Sequence, residues 1–174
     1  MRISIFGLGY VGVVSAGCLA KDGHSVIGVD TYQPKIDLIN EGRTPVIETD
    51  IGGIIEKASV GGLLSATKDV RLAVNTSEIS LICVGTPSQL NGSLDLRFVR
   101  TVCEEIGEAL KEKNDSHVVV VRSTMLPGSM HSVVIPTLEG SSGKQVGVDF
   151  GVCNNPEFLR ESTAVYDYLI QQRQ

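Results

Sequence analysis

Short apolar runs alternate with amphipathic segments along most of the chain. Runs rich in Val, Ile and Leu predict strands over residues 2–6, 25–29, 64–66, 79–84, 117–121 and 146–152. Helical spacing and helix start signals predict helices over residues 13–19, 34–40, 51–58, 69–75 and 99–113, and from 127 to 138 before a loop at 140–143. Strands and helices in this alternation predict a single α/β domain with a doubly wound parallel sheet.

A glycine-rich turn separates the first predicted strand from the first predicted helix. The turn reads Gly7-Leu-Gly-Tyr-Val-Gly12, and Asp30 follows the second predicted strand. Strand, glycine turn, helix, strand and acid is the order that a dinucleotide-binding βαβ unit requires. The predicted fold is therefore Rossmann-like.

Each glycine has a distinct role in that interpretation. Gly7 allows a tight turn out of the strand, and Gly9 allows a pyrophosphate to approach the backbone. Gly12 allows the helix to pack closely on the sheet.

The residues between and after the glycines supply the polar contacts. The amides of Tyr10 and Val11 fall in the first helical turn, where they are free to bind phosphate oxygens. Asp30 is expected to accept hydrogen bonds from the adenosine ribose and to repel a 2′-phosphate, which favours NAD over NADP. Lys35 lies near the same nucleotide site, within reach of a phosphate or ribose.

An export signal is the alternative interpretation of the same segment. Arg2, the apolar stretch and Ser15-Ala-Gly-Cys18 superficially resemble a lipoprotein signal. Three glycines interrupt the stretch and Asp30 closes a second strand, so the strand-turn-helix interpretation is preferred.

Composition is typical of a globular protein and excludes some partners. Of 174 residues, 42% are hydrophobic and 20% are charged, with a formal net charge of −5. No basic cluster suggests nucleic-acid binding, and no apolar stretch is long enough to span a bilayer. The four cysteines form no CxxC pair, so buried thiols in a reducing cytoplasm are expected.

The loops that follow the later strands carry further candidates. Gly85 and Thr86 follow one strand, and Ser123 and Thr124 follow the next, at the sheet edge where ligands bind. Asn91-Gly92 predicts a turn. The three histidines lie apart in sequence and indicate neither a metal site nor a Ser-His-Asp triad, and no metal is expected.

Four ordered motifs together resemble those of the nucleotide-sugar 6-dehydrogenases. The motifs are Phe6–Gly12, Ile82–Pro87, Arg122–Thr124 and Asn155–Ser162, and the resemblance runs from Met1 to about Asp167. Within the family, Asn91–Leu96, Thr101–Cys103 and Gly147–Gly151 are most similar to the GDP-mannose branch. This resemblance implies oxidation of a sugar C6 alcohol to the acid with two NAD, as in alginate-type polysaccharide synthesis.

The resemblance also implies residue roles. The positions that match family contacts to NAD are Tyr10, Val11, Asp30, Lys35, Thr86 and Thr124. Glu157 matches the catalytic glutamate, which acts with Thr124 on a water during thioester hydrolysis. Glu161 matches a residue close to the sugar.

The chain also departs from the family pattern. Family members continue into a central helix and a sugar-binding domain that carries the nucleophilic cysteine and a catalytic lysine, both absent here. The predicted organisation is an NAD-binding domain over 1–167 and a divergent tail over 168–174. In this chain Thr49-Asp50 follows Glu48, whereas family members usually have Pro-Gly after the corresponding glutamate.

Several alternatives remain open at this point. The chain alone is expected to bind NAD weakly and not to turn over. Its expected partners are a nucleotide-sugar substrate in the full-length parent, and either a C-terminal half encoded elsewhere or a second copy in a homodimer. Two other interpretations are enzymes: a UDP-glucose 6-dehydrogenase, and a 3-hydroxyacid or 6-phosphogluconate-type dehydrogenase. The others are a non-catalytic NAD-binding module and a nonfunctional fragment.

Overall fold

The structure is a computed structural model that describes residues 1–90 and 92–171. Asn91 of the predicted 91–92 turn and residues 172–174 of the predicted tail lie outside the described residues.

Strands and helices alternate as the sequence predicts. The strands are β1 Arg2–Phe6, β2 Ser25–Val29, β3 Leu64–Thr67, β4 Ile79–Ile82, β5 Val118–Val121 and β6 Gly151–Asn154. The α-helices are α1 Tyr10–Lys21, α2 Gln33–Asn40, α3 Ile51–Val60, α4 Val70–Thr76, α5 Arg97–Leu110, α6 Ile135–Ser142 and α7 Ala164–Gln171. A π-helical turn over Met130–Val134 leads into α6.

The strands form a six-stranded parallel sheet in the order β3-β2-β1-β4-β5-β6. The chain builds outward from β1 to β3, then crosses back to pair β4 with the free edge of β1. The strand order therefore reverses between β1 and β4, where a doubly wound sheet leaves a crevice at the carboxyl ends of its strands. The predicted fold class is confirmed.

Two apolar layers cover the sheet. Ile5 of β1 belongs to a cluster that includes Leu8, Val13 of α1 and Ile55 of α3. Phe6, the next residue of β1, belongs to the opposite cluster with residues of α4, α5 and α6. Successive strand side chains point to opposite faces, so one short strand anchors both layers.

The last predicted strand was wrong in position. The predicted strand covered 146–152, but Val146 and Phe150 form only an isolated bridge, and β6 begins at Gly151. Gly147 has a φ of 82° and its amide donates to the carbonyl of Phe150, which closes a turn inside the apolar run. The apolar residues between 146 and 150 therefore belong to a turn and not to a strand.

The predicted loop at 140–143 was also wrong. Helix α6 continues to Ser142, and Gly143, with a φ of 66°, is its C-cap. The helix begins later than the predicted position 127. Pro136 has no amide to donate to the carbonyl four residues earlier, which accounts for the π-helical turn before α6.

Over residues 1–90 and 92–171, none of the helices combines the length and the apolar character that crossing a membrane requires.

The Thr49-Asp50 pair gives the loop before α3 an unusual backbone. Asp50 has a φ of 66°, in the left-handed region that glycine adopts most easily. Its side chain makes no capping hydrogen bond to α3. The aspartate therefore keeps the backbone conformation that a Pro-Gly sequence would favour.

We expect Asp50→Gly to be about 1 kcal/mol more stable than Asp50→Ala, because a Cβ is unfavourable in the left-handed region. Urea denaturation measures both free energies of unfolding. Asp22, with a φ of −79°, is the matched control, and Gly should not be favoured over Ala there. The same Gly-over-Ala preference at both positions would contradict this account of the loop.

A buried polar cluster lies within the sheet near the amino ends of its strands. The hydroxyl oxygen of Ser4 lies 3.0 Å from that of Ser77 and 2.7 Å from that of Ser80. Ser80 Oγ lies 2.8 Å from Nε2 of His117, which is 1% exposed. Burial, with the nearby Lys113, lowers the pKa of His117 to about 4. His117 is thus a structural residue, neutral at physiological pH.

Stability should therefore fall as the pH drops from about 6.5, the pKa of an unfolded histidine, to about 4. In that window the unfolded chain binds the proton and the folded chain does not, which lowers the free energy of unfolding by up to about 1.4 kcal/mol per pH unit. Denaturation at several pH values measures this slope. His117→Asn should flatten it, and His131→Asn, at an exposed histidine, should leave it unchanged. Equal slopes in all three proteins would show that His117 makes no such contribution.

Candidate functional site

A cavity of about 310 Å³ lies where the strand order reverses. Its walls come from the carboxyl ends of β1, β2 and β4 and from one face of α5. The lining residues are Phe6, Gly7, Gly9, Val29, Asp30, Thr31, Lys35, Cys83, Val84, Gly85, Phe98, Thr101, Val102 and Glu105.

The glycine turn forms one wall, and each glycine has a different environment. Gly7 has a φ of +96°, and its amide donates to the carbonyl of Val29 at 2.8 Å. A Cβ on Gly12 would lie 1.8 Å from the carbonyl oxygen of Gly7, so no other residue fits there. A Cβ on Gly9 would meet nothing within 4 Å. The backbone at Gly9 is therefore open to a ligand.

Helix α1 starts directly from this turn. Gly9 is its N-cap and contributes no capping side chain, and Val13 donates the first bond back to the carbonyl of Gly9 at 2.9 Å. The first amides of a helix, here those of Tyr10 and Val11, have no intrahelical acceptor and carry the positive end of the helix dipole. This end of α1 suits a phosphate group.

Asp30 fixes the turn from the opposite wall. Its Oδ2 accepts a hydrogen bond from the amide of Leu8 at 2.8 Å, and its Oδ1 accepts one from the amide of Tyr32 at 2.9 Å. Nζ of Lys35 lies 3.4 Å from Oδ2. The Asp30 side chain is 11% exposed and lines the cavity, so it remains accessible to a ligand hydroxyl.

The two candidate threonines lie on adjacent loops that contact each other. Oγ1 of Thr86, after β4, donates to the carbonyl of Thr124, after β5, at 2.7 Å. Ser123 Oγ donates to the carbonyl of Val84 at 2.6 Å, which fastens the two loops at a second point. Neither threonine lines the cavity itself.

The two candidate glutamates lie in the segment between β6 and α7. Glu157 is half-buried and its Oε2 accepts a hydrogen bond from the amide of Leu159 at 2.6 Å, whereas Glu161 is exposed. Among the described residues, Thr124 and Glu157 share no direct hydrogen bond. Neither glutamate lines the cavity.

An ion pair fastens the same segment to α7. The guanidinium of Arg160 donates to both carboxylate oxygens of Asp167, at 2.7 and 3.1 Å. This pairing, chiefly its hydrogen bonds, lowers the pKa of Asp167 to about 2. The carboxylate thus stays ionised over the whole physiological range.

The cavity brings together a subset of the predicted site residues. Gly7, Gly9, Asp30 and Lys35 all line it, as does Gly85, the candidate on the loop after β4. These positions were predictable because the glycine motif and the acid that follows β2 are local signals.

The wall formed by α5 was not anticipated. Phe98, Thr101 and Glu105 line the cavity from this helix, and burial with the neighbouring Glu104 raises the pKa of Glu105. The helical pattern assigned α5 only its apolar core face. The sequence feature that could have indicated this wall is Phe98, an aromatic residue outside the apolar core face. Its side chain is 54% exposed in the structure.

The one cysteine that lines the cavity, among the described residues, is a buried thiol. All four thiols are free, and Cys18, Cys83 and Cys103 are buried. Burial raises the pKa of Cys83, which lines the cavity, to about 12, so it is not a thiolate at neutral pH. Within residues 1–90 and 92–171, no group of three His, Cys, Asp or Glu side chains is placed to hold a metal ion.

Comparison with known proteins gives consistent results. The family model described as "UDP-glucose/GDP-mannose dehydrogenase family, NAD binding domain" matches residues 1–174. The GDP-mannose 6-dehydrogenase of Pseudomonas aeruginosa is 59% identical over 168 residues, which cover 97% of this chain and 38% of that enzyme. The UDP-glucose 6-dehydrogenase of Haloferax volcanii is 40% identical over 169 residues, covering 97% and 39%.

A solved structure agrees with these sequence matches. The crystal structure of a ternary complex of the Pseudomonas aeruginosa GDP-mannose dehydrogenase superposes with a TM-score of 0.95 at 59% identity, over 97% of this chain and 38% of that one. The chain thus spans less than two-fifths of the length of these relatives. On the fold, the glycine turn and these matches, the chain belongs to the UDP-glucose/GDP-mannose dehydrogenase family and forms its NAD-binding domain.

Proposed function

We propose that this chain is the NAD-binding part of an enzyme that oxidises the C6 alcohol of GDP-mannose to the carboxylate. The observation that carries the proposal is its 59% identity to the Pseudomonas aeruginosa GDP-mannose enzyme. The identity to the Haloferax volcanii UDP-glucose enzyme is lower, at 40%. The difference favours GDP-mannose over UDP-glucose as the substrate of the complete enzyme.

The residues of the cavity fit NAD. The open backbone at Gly9 and the free helix end at Tyr10 and Val11 suit a pyrophosphate, which needs close approach and amide donors. Oδ1 of Asp30 accepts one hydrogen bond, from the amide of Tyr32, and keeps a second lone pair for a ribose hydroxyl, while Lys35 adds a positive charge nearby. The cavity volume of about 310 Å³ is in the range of small-ligand sites.

Three residues on the segments that follow β5 and β6 are proposed to act on the substrate. When bound, NAD accepts a hydride from the substrate. Thr124 orients a water through its hydroxyl, and Glu157 accepts the proton of that water as the acid is released. Glu161 is proposed to contact the sugar, and Thr86 to contact the cofactor.

The remaining parts of the active site are proposed to come from outside these 174 residues. The family resemblance implies a nucleophilic cysteine, a catalytic lysine and most nucleotide-sugar contacts in a second domain, supplied in cis, by a separate chain or within a homodimer. The predicted boundary at residue 167 falls inside α7 and stays a prediction. The four free thiols support a cytoplasmic location, also still a prediction.

Asp30→Asn should weaken NAD binding about tenfold, because a charge-assisted hydrogen bond to the ribose becomes a neutral one. It should also reduce the preference for NAD over NADP, since repulsion of a 2′-phosphate is lost. Calorimetric titration of the chain with each dinucleotide measures both effects.

The matched control is Asp69→Asn, at another aspartate that accepts a backbone amide, at 2.9 Å from Leu72. This variant should bind both dinucleotides as the parent chain does. An unchanged ratio of the NAD and NADP affinities in Asp30→Asn would contradict the proposed role of Asp30.

The proposed activity is tested with a chimera in which residues 1–167 replace the matching segment of the Pseudomonas aeruginosa enzyme. NADH formation from GDP-mannose should stay within about tenfold of that host, because the two chains are 59% identical over this segment and share its fold with a TM-score of 0.95. The same graft into the Haloferax volcanii enzyme should give a much lower rate with UDP-glucose. Glu157→Gln in the first chimera should lower kcat about 100-fold, the usual effect of losing a general base.

Glu41→Gln, at an exposed surface ion pair with Arg43, serves as the control and should leave kcat unchanged. A folded first chimera that binds NAD but forms no NADH would contradict the proposed function. Greater activity in the second chimera would instead favour a UDP-glucose enzyme.

A further inference from the structure

Glu48 forms hydrogen bonds with two distant parts of the chain at once. Its Oε2 accepts a hydrogen bond from the hydroxyl of Tyr10 and another from the amide of Ser162, the latter at 2.8 Å. Its Oε1 accepts from the amide of Ala164 at 3.0 Å. The hydroxyl oxygen of Tyr10 itself lies 3.2 Å from the amide of Ser162. One carboxylate therefore joins residues that are more than a hundred positions apart in sequence.

The two parts that Glu48 joins are the start of α1 and the segment that leads into α7. Tyr10 is the first residue of α1 and follows Gly9 of the glycine turn. Ser162 directly follows Glu161, and Ala164 is the first residue of α7. The link thus runs from the phosphate-binding end of α1 to the segment that carries both candidate glutamates.

The charges at this junction are suited to a stable link. A carboxylate at the first turn of α7 satisfies free amides and interacts favourably with the helix dipole. Burial and the Glu48 carboxylate raise the pKa of Tyr10 to about 12, so its hydroxyl keeps the proton that it donates. Hydrogen bonds to an ionised acceptor are about twice as strong as neutral ones.

Local backbone geometry depends on the same contact. Ser162 has a φ of 72°, a conformation that L-residues seldom adopt without support. Its amide is directed to Glu48, and its carbonyl accepts from Thr49 Oγ1 at 3.4 Å. The segment is therefore held on both sides of its strained residue by the loop that precedes α3.

We propose that Glu48 is a positioning residue that holds the Glu157–Glu161 segment against the cofactor turn through Tyr10. The link acts on the reaction through the glutamates and not by touching NAD or substrate. This inference rests on the proposed roles of Glu157 and Glu161. It predicts that weakening the hydrogen bonds of the Glu48 carboxylate lowers the rate of the chemical step more than it weakens NAD binding.

The link itself is tested on the 174-residue chain by hydrogen exchange without cofactor. Glu48→Gln should speed exchange of the Ser162 and Ala164 amides at least tenfold, because an amide side chain has one acceptor oxygen and no charge. Exchange in β1 and β4 should change less than twofold. Tyr10→Phe should speed Ser162 exchange less, and the effects of the two substitutions should be non-additive, since both break the same junction.

The consequence for catalysis is tested in the GDP-mannose chimera. Glu48→Gln should lower kcat at least tenfold while KM for NAD changes less than threefold. Glu41→Gln, which removes a glutamate charge from the same stretch of chain, should change neither value. A residue needed only for folding would lower the active fraction without accelerating exchange selectively at Ser162 and Ala164.

The outcomes separate the two proposals. An inactive parent chimera would contradict the proposed function, whereas the exchange measurement would still report on the junction. An active parent chimera with unchanged kcat in Glu48→Gln would overturn the positioning role. Unchanged exchange at Ser162 and Ala164 would overturn the junction itself.

Discussion

The close contact between the start of α1 and the turn at Gly7 is the constraint on which the site depends. A single Cβ at Gly12 would overlap the carbonyl oxygen of Gly7, at 1.8 Å. Only glycine allows the helix to begin so close to the end of β1, and that closeness aims the first amides of α1 along the crevice. The open backbone at Gly9 then gives a ligand access to those amides.

Sheet topology converts this local turn into a site. Because β4 pairs with β1 on the side away from β2, the loops after three adjacent strands surround one cavity. Asp30 connects two of these loops by accepting the amide of Leu8 while it remains at the cavity wall. The same carboxylate thus preorganises the turn and presents a free lone pair, which reduces the entropy lost when a nucleotide binds.

The parts of the fold and site that depend on local sequence were predictable. The glycine motif, Asp30 and the alternating strands and helices each follow from residues close together in the chain. The strand over 146–152 was wrong because a turn at Gly147 interrupts an apolar run without any change in composition. Such a turn is set by backbone hydrogen bonds that periodicity does not reveal.

The parts that depend on tertiary packing were not predictable. Phe98 and Glu105 reach the cavity only because α5 packs on the sheet with one flank toward β1 and β4. The link from Glu48 to Ser162 joins residues separated by more than a hundred positions, so no short-range pattern marks it. The sequence could indicate Glu48 only through family resemblance, which gave the residue no role.

The most direct measurement is a crystal structure of this chain grown with NAD. The account predicts pyrophosphate oxygens within about 3 Å of the amides of Tyr10 and Val11, and Asp30 hydrogen-bonded to a ribose hydroxyl. It predicts the adenosine in the cavity beside α5. NAD bound elsewhere, with the glycine turn and Asp30 making only the contacts they make without it, would contradict the account.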